Sequence, residues 1–298
     1  MSYLLIFLMI LLYSFQTLFC KQFSDHYPQG PDRASQVFCL LESIFIALMT
    51  FAFNGFRVHI SLPTLGLGAL NALMLFTYNT SLIKASSRGS YAFMNMVLLF
   101  GGIIVPLIYS ALILKEPLAW YKYASVVLML VSFLLMNLKG IDLKGSGLWY
   151  YVFCILLFIS NGLYGTLMKI QAVVKPNESR EMVMLTFLLM CIPAAIGVFK
   201  KETSPSAIQE DVSQKPVFQF NRKSLIYLAA SLISAGLAVN VLVLCLPLVN
   251  TVILYTVDNG GVLVLASLYS YFLFKEKFDP AKIIGIVLAV ISITILSV

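Results

Sequence analysis

Two carboxylates stand inside long apolar runs. Asp258 lies in NTVILYTVDNGGVLVLASLYSYFLF, and Glu42 lies in QVFCLLESIFIALMTFAF. An Asp at the centre of a membrane span costs about 2.5–3.5 kcal/mol on insertion scales, so it is rarely placed there without a use. Counting from Asn250, Asp258 sits roughly 12 Å into its run at 1.5 Å per residue. Glu42 is shallower, and a carboxylate there can reach the membrane interface. A carboxyl at the depth of Asp258 can take up a proton or meet a cationic group on a solute. Its neighbours can supply hydrogen bonds. Helical residues three or four apart share a face, which joins Thr251, Tyr255 and Asp258, with Asn259 beside them. Tyr91 and Asn95 form a second such face, Asn71 and Tyr78 a third, and Asn161 with Tyr164 a fourth. Gln16, with Tyr13, is the polar feature of the first apolar run. These side chains, Tyr13 apart, are the candidate solute-binding residues. Each Asn has a plain reading too, as an interhelical hydrogen bond worth about 0.6–2 kcal/mol.

The elements that must position them follow from composition. The chain has 298 residues, 60% of them hydrophobic and 11% charged. A soluble domain has about a quarter charged residues, so lipid must cover much of this surface. The net charge of +7 is spread over short segments between apolar runs, with no basic stretch of interleaved aromatics, so no nucleic-acid partner is expected. Ten runs are long enough to be spans: Met1 to Phe19, Gln36 to Phe53, Leu62 to Ile83, Gly89 to Leu114, Pro117 to Asn137, Gly147 to Met168, Glu181 to Phe199, Ser224 to Leu246, Thr251 to Phe274 and Ala281 to Val298. The expected fold class is an all-α membrane protein. Lys84 and Lys169 fall at run ends, where snorkelling is the plain reading. Glu116 and Glu276 flank helix starts, where a carboxylate favours the helix dipole.

The chain also repeats itself. RGSYAFMNMVLLFGGIIVPLIYSALILKEPLAWYK, from Arg88, matches the stretch around Asp258 at a shift of 160 positions. Gly101 falls on Gly261, Tyr109 on Tyr269, Lys115-Glu116 on Lys275-Glu276, and Lys122 on Lys282. Toward the first run the match drifts, and Lys21 meets Lys169 at a shift of 148. Five spans per copy is an odd number, so the second copy must enter the bilayer upside down, as in inverted-repeat carriers. The expected units are residues 1–138 and 147–298, with 139–146 as linker. The glycine pairs Gly101-Gly102 and Gly260-Gly261, with Pro106, serve either close helix packing or a helix break that exposes backbone groups.

The two closings ILKEPLAWYKYASVVLMLVSFLL and LFKEKFDPAKIIGIVLAVISITIL, and the Asn-Gly-Gly of the ninth run, resemble the drug/metabolite transporter superfamily, in its EamA-type ten-helix carriers. The resemblance covers the whole chain. It implies an inverted five-plus-five architecture in the cell membrane. The first four helices of each half would surround a central cavity, with the fifth and tenth at the edge.

The expected function is that of a secondary transporter. It would move a small polar or amphipathic metabolite by alternating access, and proton coupling is compatible with Asp258. The partners are that solute and the lipid bilayer, and a homodimer is left open. The alternatives are a membrane-embedded enzyme and an accessory membrane protein that moves nothing. An enzyme is disfavoured: His26 and His59 are expected in loops, and no HExxH or GxSxG motif is present. No P-loop is present for ATP-driven pumping. The five cysteines have no metal-ligand spacing, and no cofactor or metal is implied. Most basic residues follow odd-numbered spans, which by the positive-inside rule puts both termini outside the cytoplasm. Many carriers of the resembled family have both termini inside.

Overall fold

The computed structural model describes residues 2–86, 88–138, 147–199, 218–274 and 279–297. The expected linker 139–146, the Lys275-Glu276 closing and most of the long polar segment after Phe199 lie outside the described residues.

Among the described residues ten α-helices make up the fold: α1 (Ser2–His26), α2 (Pro31–Phe53), α3 (Leu62–Ser86), α4 (Tyr91–Tyr109), α5 (Trp120–Asn137), α6 (Leu148–Val174), α7 (Ser179–Phe199), α8 (Arg222–Cys245), α9 (Thr251–Phe274) and α10 (Pro280–Ser297). No strand occurs among the described residues. Eight of the helices are long and apolar enough to cross a membrane; α3 and α10 are the other two. Their outward faces carry large exposed side chains such as Leu62, Leu112, Trp120 and Leu148. A soluble monomer rarely tolerates so much exposed apolar surface. These features suggest a multi-pass membrane protein.

Local chemistry sets the helix ends. Proline occupies the first position of α2 and of α10, where its missing N–H costs nothing. Asp279 caps α10, accepting from the Lys282 N–H at 2.7 Å. Asn221 and Ser224 form a reciprocal capping box at α8.

Several features differ from the sequence expectation. Helix α1 continues past Phe19 to His26, so His26 sits in a last helical turn rather than in a loop. Pro117 does not open α5, which starts at Trp120 behind an extended Ala119. The glycine pairs do not break their helices. Both α4 and α9 run through them, and Pro106 too lies inside α4. The irregularity comes later, as a π-helical turn at Ser110–Leu114 that ends in left-handed Lys115 (φ 50°). What the glycines provide is proximity. A Cβ on Gly101 would lie 2.2 Å from the Phe158 carbonyl oxygen, and one on Gly261 would lie 2.8 Å from the Ile10 side chain.

The packing has an internal correspondence. Helix α1 packs on α8 and α9, and α6 packs on α3 and α4. Helix α3 packs on α7, and α8 packs on α2. Exchanging each helix for the one five places along turns every one of these pairings into another. The pairs α2–α7, α4–α9 and α5–α10 map onto themselves. Side chains follow the same exchange. On the α5–α10 seam, Ser125 and Ser292 donate to each other's carbonyl oxygens, both at 2.8 Å, and Ser132 donates to the Gly285 carbonyl at 2.6 Å. Ser125 and Gly285 are 160 positions apart, as are Ser132 and Ser292. The Gly101–Phe158 and Gly261–Ile10 contacts correspond through both shifts, 160 between the glycines and 148 between their partners.

Candidate solute-binding cavity

A cavity of about 540 Å³ opens among the helices, a size suited to a small organic ligand. Its wall is drawn from α1, α2, α3, α4, α6, α7, α8 and α9, and neither α5 nor α10 contributes to it. Both carboxylates singled out by the sequence face it. Glu42 comes from α2 and accepts a 2.6 Å hydrogen bond from the Gln16 amide of α1. Asp258 comes from α9, two turns past its start, and its Oδ1 is buried without a hydrogen-bond partner. Tyr13 lies within electrostatic range of both carboxylates, and Tyr255 within range of Asp258.

Close helix contact shapes this wall. The Tyr255 ring packs on Gly165 of α6, where a Cβ would lie 2.8 Å from it, and its hydroxyl donates to the Gly165 carbonyl at 2.6 Å. The amides of Asn161 and Asn259 meet over Gly102, whose Cβ would lie 2.7 Å from Asn161 Nδ2 and 3.2 Å from Asn259 Nδ2. Asn161 donates to the Leu98 carbonyl at 2.9 Å, and Asn259 to that of Tyr255 at 2.7 Å. A side chain at Gly102 would displace both amides, so that glycine is part of the site.

Of the twelve candidates, nine line the cavity: Gln16, Glu42, Tyr78, Asn95, Asn161, Tyr164, Tyr255, Asp258 and Asn259. Three do not. Asn71 is buried between α3 and α7, where its amide meets the Thr186 hydroxyl at 3.4 Å. It plays the plain interhelical role. Tyr91 is the first residue of α4, and its side chain lies outside the described residues. Thr251 shares its helix with Asp258 but lies two turns away, at the helix start, where it belongs to a different cluster.

That second cluster is centred on Glu116. Its Oε2 accepts from the Thr251 N–H at 2.9 Å and from the Ser110 hydroxyl at 2.8 Å. Its Oε1 accepts from the Thr251 hydroxyl at 3.2 Å and lies 3.4 Å from Lys169 Nζ. Burial pushes the Glu116 carboxyl up, but the bonds from Thr251 and Ser110 and the Lys169 charge outweigh it, and its pKa is lowered. Lys169 also donates to the Leu246 and Val249 carbonyls, at 2.8 and 3.0 Å. The sequence expectation of a snorkelling Lys169 is therefore corrected. Helix α6 continues to Val174, past Met168, which leaves Lys169 inside the bundle and 5% exposed. Glu116 supports the start of α9 rather than that of its neighbour α5. A third carboxylate, Glu178, is held at its Oε2 by Ser61 and Thr64.

Sequence reasoning left several lining residues out of the candidate set, among them Tyr13, Thr17, Ser43 and Asn79. Tyr13 was legible from its spacing: it sits one helical turn before Gln16 on the same face. Gly102 and Gly165 carry no such signal.

No protein-family model matches the chain. No curated protein matches it. Solved structures do match, 29 chains among them. One, described only as "Crystal structure of protein", superposes with a TM-score of 0.74 over 99% of this chain and 95% of that one, at 16% identity. That likeness shows the fold.

Proposed function

We propose that the protein is a secondary transporter of the cell membrane, built as two inverted five-helix repeats, residues 1–138 and 147–298, around one solute site. The observation that carries this reading is the cavity. It lies within a bundle of apolar helices, takes its wall from both halves, and is lined by Asp258, a carboxylate with one buried oxygen that has no protein partner. An intramembrane ionisable residue facing a cavity marks a substrate or ion pathway. A site at the interface between repeats is where inverted-repeat carriers place their substrate. The correspondence of helix pairings under the five-helix exchange supports the repeat, and so do the matched contacts at shifts of 160 and 148. The absence of α5 and α10 from the wall fits the arrangement of the EamA-type carriers that the chain resembles.

The solute is a small polar or amphipathic metabolite, with the bilayer as the other partner. The wall mixes carboxylates, amides and tyrosines with apolar side chains such as Leu75, Phe187 and Val239. Alternating access would rock one repeat against the other about this site. We place no reaction at the cavity, and the protein is not read as an enzyme. Purified protein in sealed proteoliposomes tests the reading. A panel of metabolites should include one that crosses faster than in protein-free vesicles, with saturable flux. Flux equal to that of empty vesicles across the panel, from protein shown to be folded and inserted, would count against a carrier.

A further inference from the structure

We propose that the cavity binds a protonated organic amine, with the ammonium group on Asp258. This deepens the carrier reading and rests on it for the direction of use, though not for binding itself.

Charge points there first. The wall holds two acidic side chains, Glu42 and Asp258, and no Lys, Arg or His among the described residues. Lys169 lies one turn past Gly165 on α6, but it is not part of the wall. Its ammonium is already taken up by the Leu246 and Val249 carbonyls and by Glu116. The protein thus supplies no counter-charge to Asp258 in the wall, and a buried ionised carboxylate without one is strongly unfavourable. A ligand cation supplies it.

Hydrogen-bond inventory points the same way. The polar donors of the wall are largely directed at protein acceptors. Gln16 gives its amide hydrogen to Glu42, Asn161 to Leu98 O, Asn259 to Tyr255 O, and the Tyr255 hydroxyl to Gly165 O. What is left over is acceptor capacity, most plainly Asp258 Oδ1, which is buried and unpartnered. A ligand complementary to that surface brings donors, and an ammonium brings up to three. Tyr13 and Tyr255, near Asp258, add aromatic surface of the kind that attracts organic cations.

Size separates an amine from a metal ion. A metal cation needs several oxygen ligands at about 2.0–2.6 Å. No group of three acidic, His or Cys side chains is placed to provide them among the described residues. A cavity of about 540 Å³ instead leaves room for an organic body behind the ammonium. The apolar part of the wall, with Phe187 and Leu242, fits such a body.

Binding to purified detergent-solubilised protein at pH 7 tests this by calorimetry with three probes of one shape. Phenethylammonium is the cation, 2-phenylethanol its neutral analogue and 3-phenylpropionate the anion. Phenethylammonium is expected to bind saturably, about tenfold or more tighter than either analogue. Asp258→Asn is expected to weaken it by a similar factor while leaving the neutral alcohol unchanged and binding the anion no more weakly, and Asp258→Glu to restore much of the loss. Wild-type-like elution on size-exclusion chromatography establishes that both variants are folded. The inference is overturned if the alcohol or the acid binds as well as the ammonium. It is equally overturned if the ammonium fails to saturate, if Asp258→Asn binds it normally, or if equimolar sodium displaces it. Carrier function is judged separately by flux. Amine binding without flux in proteoliposomes defeats the carrier reading and leaves the site. Saturable flux of an anionic or neutral solute without amine binding defeats the amine and leaves the carrier.

Discussion

Glu116 and Asp258 are both partly buried carboxylates, yet their surroundings are opposite. Glu116 receives hydrogen bonds from the Thr251 backbone, the Thr251 hydroxyl and the Ser110 hydroxyl, with the Lys169 ammonium alongside. Its oxygens are occupied by the protein. Asp258 sits two turns further along α9 with one oxygen buried and unpartnered. The difference teaches that burial of a charge does not itself mark a binding site. A carboxylate whose acceptor positions are filled is a fastener between elements. One left open at a cavity holds its capacity for something that arrives from outside.

The comparison makes opposite demands on the two residues. Glu116→Ala should be the most destabilising change, at about 3 kcal/mol, because it strands the buried Lys169 ammonium and uncaps α9. Thermal unfolding of the purified protein measures it, and a midpoint within error of wild type would erase the distinction. Asp258→Asn should do the reverse. Flux should fall about 100-fold, the scale on which loss of one member of a buried charge pair weakens binding. The unfolding midpoint should hardly move. If stability drops and the residual flux is near wild type, Asp258 is a fastener too.

A third change probes the close contact between α4 and α6. Gly101→Ala places a methyl against the Phe158 backbone, which cannot swing aside as a side chain would. It should cost about 1–3 kcal/mol in stability by forcing α4 from α6. Flux through surviving protein would then report how far the cavity depends on that contact.

The smallest effect concerns acid. The folded pKa of Glu116 is lowered from its ordinary 4.5, so its contribution is present above that value and is lost as pH falls through the folded one. Wild-type protein should therefore lose stability in that acid range more steeply than Glu116→Gln. Unfolding midpoints compared across pH 3 to 6 (roughly the range flanking a carboxylate) should converge at the acid end. Parallel curves would show that Glu116 is not the proton-linked group.

How legible each site was follows from the kind of interaction involved. Asp258, Tyr255 and Asn259 were readable as a polar face because helical spacing is local, and so was the pairing of Asn161 with Tyr164. Thr251 fits the same periodic face and still belongs elsewhere, since spacing says which side of a helix a residue occupies but not how far along that side a cavity extends. Asn71 was indistinguishable in sequence from Asn95, and only the neighbouring Thr186 decides its interhelical role. Lys169 was misread because its span was taken to end at Met168. The continuation of α6 to Val174 carries it from the expected interface to the Leu246 and Val249 carbonyls.

The sequence by itself determined the ten helices, the low charge that calls for lipid, and the internal shift of 160. These rest on hydrophobic periodicity and composition, which act along the chain. Only the tertiary structure decided that Gly101 and Gly261 bring helices together rather than break them. It alone decided that Tyr13 lies within electrostatic range of two carboxylates, and that one carboxylate is saturated while the other keeps an unpartnered oxygen. Those outcomes depend on which side chains meet across helices far apart in sequence. A hydrogen-bond inventory cannot be closed until both partners of every bond are in place.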